Sequence, residues 1–125
     1  MRKQLIGTIS LGALSVIGLV FWEPPVQAAG ENKTVDIVLK GGGPVVSPES
    51  VEINAGGSIT WVPKYANIHH HILEDGTNKD ITQDFNEDNG TNTVETATHE
   101  FNTPGVVVKY HCKYHKPMKG TVTVK

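Results

Sequence analysis

Short apolar stretches separated by turn residues run along this chain after residue 33, and helical periodicity is nearly absent. Thr34-Val-Asp-Ile-Val-Leu39 reads as a first strand, and Gly41-Gly-Gly-Pro44 as a turn. Val45 and Val46 lead through Ser47-Pro48 into a short extended piece, Val51-Glu-Ile53. Asn54-Ala-Gly-Gly57 signals another turn, and Ser58-Ile-Thr-Trp61 another strand. His71-Ile-Leu73 begins the next strand after a loop over 63–68. The polar, acidic stretch 74–92 predicts a long loop, with one helical turn near Gln83 to Phe85, and reads as solvated filler more than as a docking element. Thr93 to Phe101 alternates weakly. Thr103-Pro-Gly105 turns the chain into Val106-Val-Val-Lys-Tyr-His111, and Thr121-Val-Thr-Val124 closes the domain. Seven to eight short strands with turns between them predict an all-β sandwich, with a core of valine and isoleucine faces plus Trp61, Phe85 and Phe101.

The N-terminus differs from this pattern. Met1-Arg-Lys-Gln4 is a short positive start, and Leu5 to Trp22 is apolar or small. Glu23-Pro-Pro25 breaks a helix, and Val26-Gln-Ala28 fits a cleavage site. Residues 1–28 are therefore expected to be a signal peptide and 29–125 the mature domain; an uncleaved membrane anchor is the alternative. Export to the periplasm, or an equivalent such as a thylakoid lumen, follows, without stable membrane insertion once the peptide is removed.

Residues 29–125 carry nine lysines against twelve acids, a net charge of −3, which argues against a nucleic-acid partner. The acids concentrate between Glu74 and Glu100, whereas Lys109, Lys113, Lys116 and Lys119 crowd the C-terminal segment.

That segment holds the chemistry. Cys112, the only cysteine, is followed by His115 and then Met118, each three residues on. One cysteine makes no internal disulfide, and an exported free thiol is prone to oxidation unless a metal holds it. A thiolate, an imidazole and a thioether so close together, with one more histidine, form the His₂Cys site with a weak axial Met of a blue-copper centre. The missing histidine lies in His69-His70-His71. Alternation sends His69 and His71 to one face and His70 to the other. His111, one residue before Cys112, points away from the site for the same reason. His99 reads as surface and Tyr110 as packing.

Cys112-x-x-His115-x-x-Met118-x-Gly120 resembles the copper loop of the cupredoxins, with the short His-to-Met spacing of amicyanins. Thr103-Pro-Gly-Val-Val-Val-Lys-Tyr-His-Cys112 resembles the strand that delivers the cysteine, and Ser47-Pro-Glu-Ser-Val-Glu-Ile-Asn-Ala-Gly-Gly-Ser-Ile-Thr-Trp61 the segment ending in Trp. Together the resemblance covers most of 34–125. It implies a Greek-key sandwich and one copper ion per chain, cycling between Cu(I) and Cu(II). It implies the metal ligands His69, Cys112, His115 and Met118, because the upstream histidine falls about eight residues after the Trp. His70 is the alternative to His69, since His71-Ile-Leu73 then matches the Asn-hydrophobic-hydrophobic pattern that follows the ligand; His71 ranks third. With no Asn after the ligand, the hydrogen bond that ties the two halves of such sites needs another donor, for which His70 and His71 are candidates. The implied role is a monomeric one-electron carrier that meets redox proteins transiently, its lysines steering it to acidic docking surfaces. Copper delivery in the periplasm, using the spare histidines, is the alternative. An enzyme is not expected: Lys113 stands where a copper oxidase or reductase carries a second histidine, and Cys112 with His115 has no evident carboxylate for hydrolysis.

Overall fold

The computed structural model describes residues 31–125, and the expected signal peptide lies outside them. The strands are β1 Asn32–Lys40, β2 Gly43–Ser47, β3 Ser50–Ile53, β4 Gly57–Pro63, β5 Ile72–Glu74, β6 Ala97–Phe101, β7 Val107–Cys112 and β8 Lys119–Val124. They form two four-stranded sheets, ordered β2-β1-β4-β6 and β3-β8-β7-β5. Both sheets are mixed: β1 runs parallel to β4 and β3 parallel to β8, and the other pairings are antiparallel.

The sequence alternation sets which face each strand buries. In β4, positions 57, 59, 61 and 63 are all buried, and Trp61 is fully enclosed. In β7, Tyr110 and Cys112 point inward while Lys109 faces water. The two inner faces meet in one core of Val35, Ile37, Ile59 and Trp61 against Val51, Ile53, Tyr110 and Val122. Trp61 and Tyr110 pack edge to face across it, their rings 5.4 Å apart.

Two expectations about the 74–92 stretch change. Among the described residues there is no helix, at 83–85 or elsewhere. Instead Phe85 N donates to His70 O at 2.9 Å and His70 N to Phe85 O at 3.0 Å, forming an isolated antiparallel bridge. Nor is the loop filler: Thr82, Phe85 and Asn86 are buried. The Asn86 amide donates to the carbonyls of Tyr65 and Ile68, which satisfies backbone ahead of the triple histidine. Asn86 itself has φ 59°, a left-handed conformation that asparagine tolerates better than most residues.

Candidate metal centre

Three chain segments converge at one end of the sandwich. The end of β7 delivers Cys112 inward, 2% exposed. The turn after it carries His115, half-buried, and closes through two backbone bonds: Met118 N donates to His115 O at 3.0 Å, and Cys112 N donates to Met118 O at 2.8 Å. These bonds fold the seven-residue loop so that Met118 enters the interior, fully buried. The third segment is the bridge with Phe85, which holds His70 at 1% exposure.

Ligand atoms of His70, Cys112 and His115 all lie within 4.8 Å of one another. Cys112 Sγ is 3.6 Å from His115 Nδ1. A metal with a thiolate at about 2.3 Å and an imidazole at about 2.0 Å sets those two atoms roughly 3.5–3.7 Å apart between tetrahedral and trigonal angles. The rings of His70 and His115 stand 5.3 Å apart at 62°. His70 Nδ1 is buried with no hydrogen-bond partner, a costly state for a polar atom unless something absent from the protein itself meets it. Burial, then the neighbouring His115 and His69, lower the His70 pKa to about 4, and burial followed by His69 also lowers that of His115. Both imidazoles are thus kept neutral at physiological pH, the form that binds a metal. The donor set, with the buried Met118 thioether, fits copper.

One expected ligand is placed apart from this cluster. His69, placed first by its distance from Trp61, lies outside the cluster; His70 occupies that place. Counting from Trp61 assumes a fixed path through 63–68, whereas the Phe85 bridge sets which residue turns inward. The predicted alternation holds. His69 and His71 share the opposite face, where His69 Nε2 lies 3.2 Å from Asp84 Oδ1 and His71 Nδ1 2.6 Å from the same atom.

His71 is clamped from both sides, its Nε2 lying 2.8 Å from Asp80. Burial disfavours its charge, but hydrogen bonds to Asp80 and Asp84 outweigh burial and raise its pKa. Sequence reasoning missed this clamp, since it requires knowing that the acidic loop folds back over His71. The tie between the two halves of the site uses neither histidine side chain: Lys113 N donates to the His71 backbone carbonyl at 2.8 Å.

His111 pairs with Asp75 on the outer face, as its place in β7 dictates. His99 is half-buried against Phe101, and burial lowers its pKa. The lysines divide. Lys113 and Lys116 are exposed on the metal loop, while Lys109 and Lys119 line a shallow groove on the sheet with Glu49 and Asp75. Asp84 and Glu87 sit beside His69, so the rim of the site is of mixed charge rather than basic.

No curated protein sequence matches the chain. Among solved structures, a purple cupredoxin from Nitrosopumilus maritimus is similar at 28% identity and TM-score 0.54, covering 74% of this chain and 98% of that one. An amicyanin variant in its Cu(I) form is similar in fold at 17% identity and TM-score 0.54, covering 80% of this chain and 86% of that one. A second amicyanin variant, also reduced, aligns at 20% identity and TM-score 0.53 over 80% of this chain and 86% of that one. The profile of copper-binding proteins of the plastocyanin/azurin family matches residues 33–125, and with the fold and the donor set described, the chain belongs to that family, the cupredoxins.

Proposed function

We propose that this protein is an exported one-electron carrier whose copper is held by His70, Cys112, His115 and Met118. The observation that carries this reading is the convergence of two neutral imidazoles and a buried thiol beside a buried thioether, on three segments tied by backbone bonds. Copper held there supplies a couple between Cu(I) and Cu(II). The protein's part is to keep the donors in place. Backbone bonds at Cys112, Met118 and Lys113 and the Phe85 bridge fix the ligand-bearing residues, so little rearrangement accompanies a change of charge. Half-buried His115 is the member of the set that reaches the surface and is the natural electron port. Exposed Lys113 and Lys116 flank it and favour acidic partner surfaces in brief encounters of a monomer. The copper-delivery alternative has less support, because His70 belongs to the buried cluster and His71 is held by two carboxylates.

Adding Cu(II) to the metal-free protein is expected to give an intense visible absorption that is lost in Cys112→Ser and in His70→Ala but kept in His69→Ala. A colourless copper complex of the unaltered protein sinks the reading. A band that survives His70→Ala and vanishes in His69→Ala reverses the ligand assignment. Fast electron self-exchange, set against slow copper transfer to an apo-acceptor, separates carrier from delivery protein.

A further inference from the structure

We infer that a second metal site, formed by His69, Asp84 and Glu87 and suited to a borderline divalent ion such as Zn²⁺, lies beside the copper loop. The proposal is independent of the electron-carrier reading, since it uses none of the four residues assigned to copper. Ligand atoms of the three residues lie within 4.8 Å of one another. His69 Nε2 is 3.2 Å from Asp84 Oδ1 and 3.9 Å from Glu87 Oε1. Donors about 2.1 Å from a tetrahedral zinc stand roughly 3.4 Å apart, between those two separations. His69 Nε2 is sealed from water yet makes no hydrogen bond, because Asp84 lies off the direction an N–H would need. A metal ion between the three groups satisfies that nitrogen, and two carboxylates balance its charge.

The surroundings hold the donors in place. The His69 ring stacks on Tyr114 with centroids 4.3 Å apart and planes 30° apart. Tyr114 Oη donates to Asp84 Oδ1 at 2.9 Å, and His71 Nδ1 contacts the same oxygen. Outer partners of this kind fix the orientation of ligating carboxylates. One imidazole among oxygen donors selects Zn²⁺ or Cu²⁺ over Ca²⁺ and Mg²⁺, which take oxygen alone. The site lies beside the copper loop, since Tyr114, which stacks on His69, stands between Cys112 and His115, and filling it offsets the charge of the two acids there.

The test is calorimetric titration of Zn²⁺ into the copper-loaded protein, with the visible band followed to confirm that copper stays in place. One Zn²⁺ per chain is expected. His69→Ala and Glu87→Gln should each weaken binding by roughly 10–100-fold or more, the scale that even outer partners of a metal reach. Glu87 is exposed, so its substitution leaves the fold intact. No zinc uptake by a protein with its visible band intact overturns the second site and leaves the electron-carrier reading standing. Unchanged affinity in either variant also overturns it.

Discussion

In the metal-free protein the buried cluster should act as an acid-labile element centred on His70. Its native pKa is lowered to about 4, first by burial and then by the nearby His115 and His69, against about 6.5 in the unfolded chain. Between these values the unfolded state binds the extra proton and the native state resists it, so stability falls as pH falls. At about 1.36 kcal/mol per pH unit, the loss by pH 4 is at most about 3 kcal/mol, and water at the half-buried His115 screens part of it. His115, with its pKa also lowered, adds a term of the same sign. Denaturant unfolding of the metal-free protein at pH 7, 6, 5 and 4, beside His70→Leu, isolates the effect. The stability gap between the two proteins should narrow or reverse by about 2–3 kcal/mol over that range in favour of the variant. Parallel pH profiles would refute the argument that burial keeps His70 neutral.

Gly120→Ala should destabilise the domain by about 1–3 kcal/mol in thermal or denaturant unfolding, because an added Cβ would lie 2.5 Å from Tyr110 Oη and 2.8 Å from the Glu49 carbonyl. Phe85→Ala should cost about 3–5 kcal/mol for a buried aromatic, and it should weaken copper retention by loosening the bridge to His70; unchanged copper affinity would show that the bridge does not position the ligand. Reversing the charges of Lys113 and Lys116 should slow electron transfer to an acidic partner at low salt, with the difference vanishing at high salt. A salt-independent rate would reject the steering idea.

The clamp on His71 has a defined pH window. Its raised pKa means that it stabilises the fold at low pH and loses that contribution as pH rises through the raised value. The Asp84 pKa is lowered, first by the hydrogen bond to His71 and then by that from Tyr114, so its contribution is present at higher pH and lost as the carboxylate protonates. The clamp therefore works in the window between the lowered Asp84 pKa and the raised His71 pKa.

Strand alternation and turn residues were legible because they are local. A residue's neighbours two places away decide which face of a strand is buried, and so β4, β7 and the inward turn of Cys112 follow from the chain itself. The same holds for the loop of Cys112, His115 and Met118, whose spacing is short enough for the motif to carry the geometry. It also holds for the opposed faces of His69, His70 and His71. What alternation does not supply is its phase. Whether the odd or the even histidine faces the thiol depends on Phe85, fifteen residues further on, whose backbone bonds to His70 set the register. The acidic loop departs from its sequence pattern for a related reason. Its composition is that of a solvated segment, but Phe85 and Asn86 are buried within it, and Asp80 and Asp84 fold back onto a histidine 9 and 13 residues earlier. The sequence by itself thus determined the fold class, the core faces and three of the four residues proposed to hold copper, all through short-range periodicity and spacing. Only the tertiary structure turned His70 toward the thiol and gathered His69, Asp84 and Glu87, because long-range pairing between a loop and a strand end fixes a phase that local pattern leaves free.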